Sequence, residues 1–126
     1  MTGRVVHFEI PFDDGDRARG FYRDAFGWEI AAVPGMDYSM VSTGPSAETG
    51  PSEAGFVNGG MAQREEPFTT PTVVVDVDDI DAALEKIERL GGATLLARTA
   101  VGEMGFSAYF RDPEGNVIGL WETRTA

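Results

Sequence analysis

The sequence predicts an α+β protein built from two similar half-domains. Hydrophobic residues make up 42% of the 126 residues, which is enough to form a core. The order strand, helix and three strands is predicted twice along the chain, and a glycine follows each predicted helix, at Gly27 and at Gly91. These glycines set a repeat of about 64 residues, longer than a solenoid repeat. We therefore expect two half-domains whose curved sheets join to enclose a cleft.

The first half-domain is predicted from residue 5 onwards. Apolar and polar side chains alternate over residues 5–10, which indicates a strand that Pro11 should end. Apolar side chains at helical spacing over residues 17–26, preceded by aspartates suited to a helix N-terminus, predict a helix. Three further strands are predicted at residues 28–30, 38–41 and 56–61, with a loop of mobile composition at 44–55.

The second half-domain repeats this order. Alternating valines predict a strand at residues 72–77, and Asp78 and Asp79 should open a helix whose apolar stripe ends at Leu90. The last three strands are predicted at residues 94–100, 106–110 and 117–122.

Composition excludes several classes of function. The chain has no cysteine, which excludes disulfides and thiolate metal sites, and a single histidine excludes a site of several imidazoles. A net charge of −11 argues against nucleic acid or an anionic membrane as a partner. No apolar run is typical of a signal peptide or a membrane span, so a cytoplasmic location is expected.

Four stretches carry a resemblance to a known family, and together they extend over nearly the whole chain. They are VHFEI at 6–10, FYRDAFGW at 21–28, VDVDDID at 75–81, and YFRDPEGN at 109–116 leading to LWE at 120–122. In these stretches the chain resembles the vicinal-oxygen-chelate superfamily (glyoxalase/bleomycin resistance protein/extradiol dioxygenase). The resemblance is specific for a fold and weak for any one reaction, because the fold hosts many functions.

The resemblance implies a fold and a kind of partner. It implies a single glyoxalase-like domain over residues 1–126, made of two βαβββ modules at about 3–62 and 71–123, with the helices outside. It further implies that a small molecule binds in the cleft between the modules and that the protein is a homodimer.

The resemblance also implies a position for a metal ion. Metal-dependent members hold one divalent ion with side chains from four strands, and His7 and Glu122 match the first and last of these positions. The other two positions carry Thr72, a poor ligand, and the strand at 56–61, whose polar side chain is Asn58. We therefore expect small-molecule binding without the full family metal site. The alternative is a divalent-metal-dependent lyase, isomerase or dioxygenase that uses His7 and Glu122, so whether the protein is an enzyme stays open.

Strand alternation suggests roles for the candidate residues. His7 and Glu9 share one face of their strand, where His7 could bind a ligand, act as a general base or simply be a hydrogen-bonded histidine. Glu122 shares a strand face with Ile118 and Leu120. It is therefore either a buried carboxylate of raised pKa that works with His7 in acid–base catalysis, or a residue near the chain end that is exposed or paired with an arginine. The other candidates for ligand contact are Glu9, Tyr38, Phe56, Asn58 and Thr72, and in the metal-dependent alternative Glu9 or Asn58 would be a nonstandard third metal ligand.

Overall fold

A computed structural model describes residues 3–35 and 38–125. The chain divides into two compact units, which are His7–Pro71 (the first unit) and Met1–Val6 with Thr72–Ala126 (the second unit). Each unit contains one helix and a four-stranded mixed sheet in the order strand, helix, three strands. The predicted α+β class and the repeated βαβββ order are thereby confirmed. The bounds of the modules, 3–62 and 71–123, stay a prediction.

The first unit contains the helix α1 and a sheet whose strands have the order β2-β3-β6-β1. Its strands β1 and β6 are parallel, and the other neighbours are antiparallel. A separate pair of short strands, β4 and β5, forms a hairpin. The elements are β1 Val5–Phe12 (its first two residues belong to the second unit), α1 Gly15–Phe26, β2 Glu29–Ala32, β3 Tyr38–Ser42, β4 Ser46–Ala47, β5 Gly50–Pro51 and β6 Asn58–Gln63.

Both ends of α1 are set by local sequence. The Asp14 side chain accepts a hydrogen bond of 3.0 Å from the Arg17 amide, which satisfies one of the free N–H groups of the first turn. At the other end Gly27 has φ of 72°, a left-handed conformation in which glycine has no steric cost. The helix was predicted for these reasons, and it begins two residues earlier than expected.

The core of the first unit lies between α1 and one face of its sheet. Its buried residues come from all four strands of the sheet: Phe12, Ile30, Val41 and Met61. Phe8 and Ile10 of β1 pack on the same side, together with Ala18 and Tyr22 of α1. The opposite face of β1 therefore presents His7 and Glu9, as alternation predicts.

Three local predictions for the first unit differ from the structure. Pro11 does not end β1, because it pairs in parallel register with Ala62 and the strand continues to Phe12. The loop at 44–55 contains the β4–β5 hairpin, which hydrogen bonds hold in place. The strand predicted at 56–61 begins at Asn58 and runs to Gln63, since its glycines pair with β1 and β3 despite their weak strand propensity.

The second unit contains α2 and a sheet with the strand order β7-β10-β9-β8. Strands β7 and β10 are parallel, and the other neighbours are antiparallel. The buried core between α2 and this sheet consists of Ile80, Leu84, Ala108 and Leu120. Its elements are β7 Thr72–Asp76, α2 Ile80–Arg89, β8 Ala93–Val101, β9 Gly105–Arg111 and β10 Val117–Thr123.

Within residues 3–35 and 38–125, neither helix has the length and apolar character needed to cross a membrane.

Candidate functional site

The first unit has a polar face on the side of its sheet opposite α1. The strand register pairs His7 with Asn58 and Glu9 with Gly60. Residues directly opposite each other on neighbouring strands share a face. Tyr38 pairs with Ala62, two residues from Gly60 along β6, so it lies on the same face. We call the surface formed by His7, Glu9, Tyr38, Asn58 and Gly60 the polar face.

A contact between His7 and Tyr38 lies at the centre of the polar face. The His7 Nε2 and Tyr38 Oη atoms are 3.1 Å apart, which is a hydrogen-bond distance. Gly60 allows this arrangement, because a Cβ atom at that position would overlap the Tyr38 hydroxyl group. The glycine therefore provides the space in which the Tyr38 ring reaches His7.

Burial sets the protonation states of this pair. Burial lowers the pKa of His7 below its ordinary 6.5, so the imidazole is neutral near pH 7. Burial also raises the pKa of Tyr38, and the negative charge of Glu9 raises it further, so the phenol keeps its proton. The pair is a neutral imidazole bonded to a neutral phenol. It can accept a proton at His7 or donate a hydrogen bond to a ligand.

Glu122 lies in the second unit and is held by two partners. Its Oε2 atom is 3.0 Å from Arg98 Nη2, and its Oε1 atom accepts a 2.9 Å hydrogen bond from the Ile80 amide at the start of α2. The Arg98 hydrogen bond, followed by that from Ile80, lowers the pKa of Glu122 below 4.5. Of the two alternatives for Glu122, the structure shows the arginine partner, and the pKa changes in the direction opposite to that needed for a general acid.

The contacts of Glu122 predict a measurable role in stability. Because its pKa is lowered on folding, its contribution is present above pH 4.5 and is lost as the pH falls through the folded-state pKa. Glu122→Gln should lower the free energy of unfolding by about 1–2 kcal/mol at pH 7, and by less at pH 4. Urea unfolding at both pH values measures this, with Glu103→Gln in an exposed turn as control. A loss that does not change with pH would contradict this account.

The donor set does not fit the family's metal centre. Among residues 3–35 and 38–125, no three histidine, cysteine or acidic side chains are grouped so that they could hold an ion. Both Glu122 oxygens already accept hydrogen bonds, and the Asn58 Oδ1 atom accepts one from the Thr43 amide. The suggested metal role of His7 and Glu122 therefore gains no support from these side chains.

The structure brings together some of the predicted residues. His7, Glu9, Tyr38 and Asn58 share the polar face of the first unit. Phe56 is half-buried just before β6, with its ring against Gly44, whereas Thr72 is buried at the start of β7 in the second unit. Sequence reasoning missed the role of Gly60. A glycine inside a strand can mark the close approach of another group, which was the available signal.

The sequence of the chain is similar to those of known proteins. The family model described as "Bleomycin resistance protein-like N-terminal" matches residues 4–44. A glyoxylase-like domain-containing protein of Didymella fabae is 29% identical over 122 residues, which cover 95% of this chain and 94% of that protein. The protein CFP32 of Mycobacterium bovis is 28% identical over 118 residues, and the match covers 90% of this chain and 43% of CFP32.

Solved structures share the fold at low sequence identity. A glyoxalase/bleomycin resistance protein/dioxygenase superfamily member from Vibrio splendidus superposes with a TM-score of 0.63 at 16% identity, covering 98% of this chain and 100% of that one. A methylmalonyl-CoA epimerase variant of Streptomyces coelicolor, in complex with 2-nitronate-propionyl-CoA, gives 0.65 at 17% identity, covering 100% and 98%. The chain thus shares the fold of these proteins. The predicted resemblance to the glyoxalase/bleomycin resistance/dioxygenase superfamily is confirmed.

Proposed function

We propose that the polar face binds a small organic molecule through His7 and Tyr38, without the family's full set of metal ligands. The observation that supports this most is the 3.1 Å contact between two neutral, partly buried polar groups above Gly60. Partly buried groups of this kind, on a face that does not pack against the helix, are suited to orienting a ligand.

The charges of the first unit favour a cationic ligand. Glu9 and Glu29 both lie on the side of the sheet opposite α1, since Glu29 pairs with Ser42 of β3. Of the arginines in the first unit, three are on α1, and Arg64 pairs with Asp13 at 3.0 Å. A carboxylate-bearing face in a chain of net charge −11 would attract a protonated amine and repel an anion.

A second candidate is metal-free proton transfer at the polar face. It is favoured by the neutral imidazole, which can remove a proton and return it, beside a phenol that can donate a hydrogen bond to the substrate. The S. coelicolor neighbour is an epimerase bound to a coenzyme A ester, so the fold accommodates a substrate of that kind in another protein. Such an ester is anionic and would meet Glu9 and Glu29, so we rank this candidate second. For the metal-dependent lyase, isomerase or dioxygenase, the part of the chain that the structure describes contains no group of three histidine, cysteine or acidic side chains that could hold the ion.

Matched probes test the binding proposal. We expect 1-naphthylmethylamine, a cation, to stabilise the protein in a thermal-shift assay more than 1-naphthylmethanol, and 1-naphthylacetate to have no effect. Tyr38→Phe should weaken binding of the amine about tenfold, the effect of losing one partly buried hydrogen bond. Tyr22→Phe, on the α1 side of the sheet, is the matched control and should change affinity less than about twofold. No binding, or equal losses in both variants, would contradict the proposal.

We further propose a homodimer and a cytoplasmic location. Strand β8 is the outer strand of its sheet within the second unit, and its Leu96 side chain is exposed. An uncovered strand edge is a surface that a second copy can cover. Light scattering should give twice the mass of one chain, and a monomer mass at micromolar concentration would contradict the dimer. Cell fractionation tests the location.

A further inference from the structure

We infer that Asn58 is a positioning residue that fixes the β4–β5 hairpin beside His7 and thereby limits which ligands the polar face accepts. The inference rests on the proposed function, because it concerns the selectivity of that same face. It gives Asn58 a role different from the metal-ligand position that the family resemblance implied.

The Asn58 side chain connects three segments of the first unit. Its Oδ1 atom accepts a 3.0 Å hydrogen bond from the Thr43 amide, directly after β3. Its Nδ2 atom donates a 2.8 Å hydrogen bond to the Ser46 hydroxyl group, at the start of β4. Because Asn58 is also the register partner of His7, the hairpin is attached next to the His7–Tyr38 contact.

The hairpin has its own bonds, so Asn58 is not needed to form it. The Pro45 carbonyl oxygen accepts hydrogen bonds from the Ser52 amide at 2.9 Å and the Ser52 hydroxyl group at 2.8 Å. The Ser46 hydroxyl group, which accepts from Asn58, donates to the Gly44 carbonyl oxygen at 3.0 Å. Losing Asn58 should therefore loosen the attachment of a formed hairpin to the sheet.

The chemistry of the amide explains why asparagine suits this position. The site requires one acceptor for the Thr43 amide and one donor for the Ser46 hydroxyl group, whose own hydrogen is already directed to Gly44. A primary amide provides both, whereas a carboxylate provides acceptors only. The Phe56 ring against Gly44 is a second, apolar attachment, so the hairpin should loosen in an Asn58 variant without the unit unfolding.

A double-mutant cycle tests the inference, first without ligand. We expect Asn58→Ala to accelerate amide hydrogen exchange at Thr43, at residues 46–50 and at Ser52, and Ser46→Ala to accelerate it at residues 46–50 and at Ser52 only. The effect of the double variant should be smaller than the sum of the two single effects, because the Asn58–Ser46 bond is lost in both, whereas the Ser46–Gly44 bond is lost only when Ser46 is replaced. Additive effects, or unchanged exchange in Asn58→Ala, would overturn the attachment.

The selectivity of binding provides a readout that a purely structural role would not change. The ratio of the affinities for 1-naphthylmethylamine and its bulkier N-benzyl derivative should fall about fivefold or more in Asn58→Ala, which is about 1 kcal/mol. A structural role would weaken both probes equally and leave the ratio unchanged, which would overturn the inference. If the wild-type protein binds neither probe, the proposed function fails together with the selectivity role. If the wild type binds both and only the ratio is unchanged, the inference fails alone.

Discussion

Met61→Ala should destabilise the protein by about 2–5 kcal/mol, the usual range for truncating a large side chain in a core. Met61 is fully buried in β6, with 0% of its surface exposed, among Phe12, Ile30 and Val41. Alanine removes the contacts of the thioether chain and leaves a cavity that neighbouring strands cannot close without breaking their hydrogen bonds. Urea unfolding monitored by circular dichroism measures the free energy of unfolding and the slope with denaturant.

Met40 provides a matched control for this change. It lies on the neighbouring strand β3, is 47% exposed and shares the face opposite α1. Met40→Ala removes the same atoms from an exposed position, so the free energy of unfolding should change by no more than about 0.5 kcal/mol. Equal losses in the two variants would mean that the core of the first unit does not lie between α1 and the sheet.

Much of the fold could be predicted because local rules determine it. The ends of α1 follow from Asp14 and Gly27, which satisfy the backbone groups at the two termini of the helix. The faces of β1 follow from alternation, which places Phe8 in the core and His7 opposite it. The prediction that Pro11 ends β1 was wrong. Pro11 pairs with Ala62, which lies about 50 residues further along the chain and could not be identified from the local sequence.

The candidate site was harder to predict, because its contacts join distant parts of the chain. His7 and Tyr38 were each predicted as ligand-facing, yet their hydrogen bond spans 31 residues and depends on the space above Gly60. The pKa of Glu122 could not be predicted from its apolar neighbours in sequence. Arg98, which lies 24 residues earlier, is the partner that lowers it. Alternation identifies the face of a side chain but not its partners.

Gly60→Ala should have the second large effect on the protein, because the His7–Tyr38 contact depends on the space above Gly60. A Cβ atom at this position would overlap the Tyr38 hydroxyl group, so the ring must rotate away and the bond to His7 must break. We expect binding of 1-naphthylmethylamine to weaken about tenfold or more, because the displaced ring also occupies part of the face. Overpacking should lower the free energy of unfolding by about 1–3 kcal/mol. Calorimetric titration and urea unfolding measure the two effects.

Gly20→Ala is the control, because a Cβ atom at Gly20 in α1 meets no atom within 4 Å apart from its chain neighbours and the backbone of the helix itself. It should leave binding unchanged and stabilise the protein slightly, since alanine is the better helix former.

Combining Gly60→Ala with Tyr38→Phe separates steric displacement from loss of the hydroxyl group. If displacement of the hydroxyl group is a cause, phenylalanine, which lacks that oxygen but keeps the Cζ atom that the added Cβ would also overlap, should restore only part of the stability lost in Gly60→Ala, while binding stays weak. Full binding by Gly60→Ala alone would show that the ligand does not need the His7–Tyr38 contact, and the polar face would then lose its main support as the binding site.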